Sequence, residues 1–216
     1  MYNILFYGDS NTWGYDPSCG LRYPYEKRWT SVCGGLLGKK FHCIPAGMNG
    51  RTTAFDDPQK PLRNGCKEID HELQSQKPLD LVVIMLGTND MKFVDAKAST
   101  DGLEKLIRKV LSVNERFSTS SPVFMNTPAV LIISPIHLRS SYGTSGYDDI
   151  KESYLLAERF AKLADQYGLF FMNAAQYAEA SDIDGEHLSE EGHQALGRAV
   201  AEKIKKITRG NLSVKG

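Results

Sequence analysis

The chain has 216 residues, within the range of one domain, and at 41% hydrophobic it can bury a full-sized core. Its 26 basic and 26 acidic side chains give a formal net charge of zero, which argues against nucleic-acid binding, a polybasic membrane anchor or an acidic tail. The longest apolar runs, 81–86 and 129–133, fall far short of the ~20 residues a membrane-spanning helix needs.

No repeat, low-complexity block or Gly/Ser linker divides the sequence, so residues 1–216 read as a single domain. The first seven residues lack a basic stretch and a small-residue cleavage site, and read as a strand rather than a signal peptide. Cys19, Cys33, Cys43 and Cys66 show neither CxxC nor zinc-finger spacing, which predicts a reduced, cytoplasmic protein. A secreted chain that has lost its leader is the other reading.

In chain order, residues 3–7 form a short apolar strand followed at once by Gly8. Residues 26–37 have helical spacing through Trp29, Val32, Leu36 and Leu37, with Gly38 as the stop. A second strand covers 41–45, and the continuous apolar run 79–86 is a central strand buried on both faces. Ser99 or Thr100 is expected to cap a helix to about Arg116, with Leu103, Leu106, Ile107, Val110 and Leu111 on one face. Residues 129–134 form the next strand. Asp148 or Asp149 opens a helix carrying Tyr154, Leu155, Ala157, Phe160, Ala161 and Ala164, which stops near Gly168. A fifth strand spans 169–172, and Ser189 caps a last helix bearing Leu196, Val200, Ile204 and Ile207. Strand and helix thus alternate into an α/β fold, a three-layer α/β/α sandwich around a five-stranded parallel sheet.

In such a fold the cleft lies beyond the carboxyl ends of the strands. Gly8-Asp9-Ser10 follows the first strand, where a serine can project into the cleft with its own N–H facing the same space. Ala46 to Thr53 follows the second, where a glycine lets the backbone approach a ligand. Gly87-Thr88-Asn89-Asp90 ends the third, where the asparagine amide can point inward as a donor. After the fifth comes Asp184-Gly185-Glu186-His187, whose spacing lets the carboxylate bond the His Nδ1–H and leaves Nε2 free. Each segment alone is an ordinary turn, loop or cap. Together they place a nucleophile, a base, an orienting acid and oxyanion donors on one sheet edge, which are the parts acyl transfer requires.

These segments resemble, in order and across nearly the whole chain, the sequence blocks of the GDSL/SGNH hydrolases. Gly8-Asp9-Ser10 resembles the block with the nucleophilic serine, Gly50 the oxyanion glycine, Gly87-x-Asn89-Asp90 the block of the oxyanion asparagine, and Asp184-Gly-x-His187 the acid and base. Gly8-Asp-Ser-Asn-Thr-Trp-Gly14, Gly50-Arg-Thr-Thr53, Asp56-Asp-Pro58 and Met85-Leu-Gly-Thr-Asn-Asp90 further resemble the arylesterase branch, which includes acyltransferases acting on alcohols or peroxide. The resemblance implies an SGNH/flavodoxin-like fold, a serine esterase for small acyl or aryl esters with possible acyl transfer, a homo-oligomer, and no cofactor. Two departures stand out: Asn11 where the family name places leucine, and Pro45 where an asparagine often precedes the oxyanion glycine by five residues.

On this reading Ser10 attacks the ester carbonyl, His187 takes its proton and Asp184 holds the ring, while Ser10 N–H, Gly50 N–H and the Asn89 amide stabilise the oxyanion. Asp9, Asn11 and Trp13 are weaker candidates for the substrate pocket; Asp9 also suits a brace for the loop, and Trp13 equally a structural role. His187 and His193 are too far apart in sequence for an HExxH zinc helix, so no metal is expected. His193 reads as structural, and residues 135–147 as a rim loop or subunit contact. Alternatives are a carbohydrate O-deacetylase, a lysophospholipase or thioesterase using the same serine, and a non-catalytic flavodoxin-like small-molecule-binding module. The last lacks a glycine-rich phosphate loop anywhere in the chain.

Overall fold

A computed structural model describes residues 1–144 and 146–213, the last four by their backbone alone. Five strands, β1 (Tyr2–Gly8), β2 (Phe41–Gly47), β3 (Leu81–Met85), β4 (Val130–Ser134) and β5 (Phe170–Asn173), form one sheet in the order β2-β1-β3-β4-β5. Every pairing is parallel, with Ile4 opposite both Cys43 and Leu81. The α-helices are α1 (Ser10–Trp13), α2 (Trp29–Leu37), α3 (Gly65–Ser75), α4 (Ala96–Leu111), α5 (Val113–Arg116), α6 (Asp149–Gln166) and α7 (Glu190–Ser213). Short 3₁₀ turns lie at Tyr25–Lys27, Asn89–Lys92 and Ala174–Gln176.

Successive strand side chains point to opposite faces, and the two cores follow from that. Ile4, Phe6, Leu81, Val83, Leu131 and Ile133 face α2 and α7, packing on Trp29, Cys33, Leu196, Val200 and Ile204. Leu5, Tyr7, Val82, Ile84, Val130 and Ile132 face α3, α4 and α6, packing on Ile69, Leu73, Leu103, Leu106, Ile107 and Phe160. The chain runs outward from β1 to the edge strand β2, then returns to pair β3 on the other side of β1. The carboxyl ends of β1 and β3 therefore flank the switch point where a cleft opens.

Several element boundaries differ from those the sequence predicts. Arg28 is extended, so the helix predicted from residue 26 divides into the 3₁₀ turn and α2. Asp95 caps α4, its Oδ1 accepting the Ala98 N–H at 2.8 Å, which displaces Ser99 and Thr100 from that role. The helix breaks at Ser112, and α5 follows as a separate turn. On α6 the buried face runs through Ser153, Leu156, Phe160, Leu163 and Ala164, while Tyr154 and Leu155 are exposed. α3 lies where the sequence pattern predicts no element, and the Asn64 side chain caps it by accepting the Lys67 N–H.

His193, in the first turns of α7, is fully buried against Tyr23, and its Nδ1 accepts the Trp29 N–H at 3.3 Å. Burial pushes its pKa down from 6.5 to about 3. The unfolded chain therefore takes up a proton that the folded chain refuses, and stability is lost progressively as pH falls from about 6.5 toward 3. Between pH 7 and pH 5 this one group is expected to cost about 2 kcal/mol. Urea unfolding of the wild type and His193→Gln at both pH values checks it: the acid-induced loss should shrink by about that amount in the variant, and parallel losses would contradict the assignment.

Candidate active site

The first wall of the cleft is made where β1 ends. Asp9 caps α1 by accepting the Asn11 N–H at 3.0 Å, and Gly14, at φ 92°, ends the helix in the left-handed region that favours glycine. This sharp turn places Ser10 at the first helical position. α1 lies directly on the end of β2, because a Cβ at Gly47 would fall 2.1 Å from the Trp13 nitrogen. Only glycine permits that approach.

The opposite wall is the loop before α7. Asp184 Oδ1 accepts the N–H groups of Glu186 and His187, both at 3.0 Å, and so fixes the turn by itself. Its Oδ2 lies 2.6 Å from His187 Nδ1. A carboxylate can only accept, so Nδ1 carries the ring proton and Nε2 is left as an acceptor. Ser10 Oγ lies 2.8 Å from that Nε2. The structure thus brings Ser10, His187 and Asp184 into one continuous hydrogen-bonded chain. Burial pushes the Asp184 carboxyl up, but the two N–H groups and the imidazole outweigh it and hold it below the usual carboxylate value. The Tyr15 ring lies against the imidazole, centroids 4.2 Å apart.

Asn89 stands in the turn after β3. Its Nδ2 donates to Arg51 O at 3.3 Å, and its Oδ1 accepts from Lys92 Nζ at 2.8 Å, so the orientation of the amide is fixed from both ends. Gly50, with φ 80°, sits in the adjoining loop, one residue before that carbonyl. The four segments singled out by sequence therefore meet at the predicted sheet edge.

Three residues that sequence reasoning did not single out for the site, the buried Arg51 and Asp90 and the half-buried Lys92, hold these loops together. The Arg51 guanidinium donates to Gly8 O at 2.8 Å and to Ala46 O, joining the ends of β1 and β2, and lies 4.1 Å from the Tyr7 ring centroid. Asp90 accepts from Thr53 N, Thr53 Oγ1 and Ser99 Oγ, joining the loop after β2 to α4. Lys92 is bound to Asn89 as described. Their only sequence signal was adjacency to Gly50 and Asn89. Burial pushes the Asp90 carboxyl up to about 6 against its hydroxyl and N–H partners, and pushes Asp9 up to about 6 against the Asn11 N–H.

The weaker pocket candidates are placed differently. Asn11 is buried and turned into the protein, where Oδ1 accepts the Leu188 N–H at 2.8 Å and Nδ2 donates to Glu186 O at 3.3 Å. It staples the serine turn to the histidine loop. Asp9 is also buried, in its capping role. Trp13 is half-buried, with the Arg22 guanidinium 4.9 Å from its ring centroid. His137 stacks on Tyr154, centroids 3.8 Å apart. The 135–147 loop, of which residue 145 lies outside the described residues, lies on the rim, with Tyr142 against Lys92. Among the described residues no three His, Cys, Asp or Glu side chains cluster as a metal site. Two open grooves elsewhere, of about 710 and 660 Å³, contain neither Ser10 nor His187.

Residues 6–195 match the model of the GDSL-like lipase/acylhydrolase family. Among solved structures, the chain is 35% identical to Est24, a carbohydrate acetylesterase from Sinorhizobium meliloti, covering 96% of this chain and 100% of that one with a TM-score of 0.87. It is 32% identical to the aryl esterase of M. smegmatis, covering 95% and 99% with a TM-score of 0.86. No curated protein sequence matches it significantly.

The Asn11 staple generates a prediction. Asn11→Ala leaves the Leu188 N–H and the Glu186 carbonyl without their partner, each buried unmet group costing about 1–3 kcal/mol. Urea unfolding should show a loss of about 2–4 kcal/mol, and kcat toward p-nitrophenyl acetate should fall more than KM rises, because the serine and the base lose their common register. Wild-type stability and kcat in the variant would contradict it.

Proposed function

The chain belongs to the GDSL-like lipase/acylhydrolase family and is a carboxylic ester hydrolase, and from that premise we propose that it cleaves short-chain acyl and aryl esters through an acyl-enzyme on Ser10. The observation that carries this is the hydrogen-bonded chain from Asp184 through His187 to Ser10. Ser10 Oγ attacks the carbonyl carbon as His187 Nε2 takes its proton. Asp184, already ionised and held by two N–H groups, orients the ring and stabilises the imidazolium that forms. The Ser10 and Gly50 N–H groups and the Asn89 amide receive the oxyanion; removing one such donor typically costs about 2.7–4 kcal/mol of barrier.

The tetrahedral intermediate collapses when His187 returns the proton to the leaving alcohol oxygen. Water then attacks the acyl-Ser10 ester as His187 accepts its proton, and the second tetrahedral intermediate collapses as His187 returns that proton to Ser10 Oγ and the carboxylic acid departs. An alcohol, or peroxide, in place of water gives acyl transfer by the same steps. The family resemblance is what supports acyl transfer. A second reading, O-deacetylation of carbohydrates, is favoured by the likeness to Est24.

Residues 1–216 act on this reading as one catalytic domain, cytoplasmic and assembled into a homo-oligomer. Free cysteines support the location, and the family resemblance supports the assembly. Among the described residues no helix is long and apolar enough to cross a membrane.

The test is hydrolysis of p-nitrophenyl acetate, butyrate and octanoate by the wild type, Ser10→Ala and His187→Ala. The wild type is expected to favour the short acyl chains, and each variant to lose about 10⁴-fold or more in kcat. A Ser10→Ala enzyme that matches the wild type would refute the serine mechanism.

A further inference from the structure

Beside the reacting atoms lies a charged pair that the mechanism above does not use. Glu186 Oε1 is 3.9 Å from His187 Nε2, and Lys92 Nζ is 3.7 Å from Glu186 Oε1. Resting on the esterase reading, we propose that Glu186 and Lys92 form a subsite for the leaving alcohol. The esters this site prefers carry a free hydroxyl on the carbon next to the one bearing the ester oxygen, as partly acylated polyols and sugars do.

The position follows from proton transfer. His187 Nε2 returns the proton to the leaving oxygen, so that oxygen must come within hydrogen-bond range of Nε2. A hydroxyl on the adjacent carbon then lies beside it, on the side where Glu186 stands. The two gaps of 3.9 and 3.7 Å are both too long for direct hydrogen bonds. A hydroxyl can close the second by donating to Glu186 Oε1 while accepting from Lys92 Nζ. An alcohol without that hydroxyl covers the pair and leaves the gap unbridged, with Lys92 held only by Asn89, and a site built to bond a hydroxyl discriminates against the analogue that lacks it.

The pair is held in place. Lys92 Nζ donates to Asn89 Oδ1 at 2.8 Å and lies 4.4 Å from the Tyr142 ring centroid, and its carbonyl accepts from Thr144 Oγ1. The Glu186 backbone is fixed at both ends, its N–H by Asp184 and its carbonyl by Asn11. At 26% and 17% side-chain exposure, Lys92 and Glu186 are largely withdrawn from water without being fully buried. Fully exposed ion pairs are loosely ordered and weak; this one is braced by the oxyanion asparagine on one side and the acid–base turn on the other.

The experiment compares kcat/KM for 1-O-acetylglycerol and propyl acetate, which share acyl group and alcohol length and differ in the hydroxyls. The wild type is expected to prefer the glycerol ester by tenfold or more, and Glu186→Leu and Lys92→Met to bring the ratio to within about twofold of unity. Glu186→Gln keeps the side-chain shape and should lose the larger part of the preference, since a neutral amide accepts more weakly than a carboxylate. A pair that only supports Asn89 would lower both esters in equal proportion and leave the ratio standing. That result, or a wild type without preference, overturns the subsite. A wild type inert toward both esters and toward p-nitrophenyl acetate overturns the esterase reading beneath it.

Discussion

The site depends on a closure between the two ends of the chain. Ser10 follows the first strand and His187 comes just before the last helix, yet Ser10 Oγ and His187 Nε2 are held at hydrogen-bond distance. The sheet alone cannot supply that precision, because both residues stand beyond it, Ser10 on α1 and His187 on a loop. The buried Asn11 side chain does, accepting from Leu188 and donating to the Glu186 carbonyl. It brackets His187 from both sides, so the backbone next to Ser10 and the backbone around His187 are tied directly together. A leucine at position 11 could pack there but could satisfy neither group, and the departure from the family's usual residue is in this chain a polar staple.

The same economy governs the other loops. Buried charges are costly unless their bonds are met, and this protein places two of them under its cleft. Arg51 spans the carboxyl ends of β1 and β2, and Asp90 gathers Thr53 and Ser99. Both lie beside residues proposed to hold the oxyanion, Gly50 and Asn89. Each donor is thereby fixed before substrate arrives, and preorganisation of this kind is what makes an oxyanion hole effective. Lys92 extends the arrangement outward, from the Asn89 amide to the Glu186 carboxylate at the mouth.

How much of this was legible in sequence divides along a physical line. Strands such as 81–85 are apolar on both faces, and helices such as α7 carry a regular stripe, so the layers and the sheet edge could be read directly. α3 could not, because only Ile69 and Leu73 of its eleven residues supply large buried apolar side chains. Its stability comes from packing and from the Asn64 cap. The boundary of α4 was misplaced because Asp95, Ser99 and Thr100 are all plausible caps, and the choice among them is tertiary. Ser99 is drawn inward by Asp90. The triad segments stood out through residue type and place. The contacts that tune them did not: Asn11 meets Leu188 across 177 positions, and the approach of Glu186 to Lys92 has no sequence pattern at all.

The central claim is that the hydrogen-bonded chain makes Ser10, and no other side chain, the nucleophile. The most direct measurement is peptide mapping by mass spectrometry after treatment with p-nitrophenyl diethyl phosphate, which phosphorylates activated serines. The account predicts one diethylphosphoryl group per chain, located on Ser10, with loss of esterase activity in step with labelling. An enzyme that stays unlabelled at Ser10 while it loses activity, or that is labelled there and keeps its full activity, would contradict it.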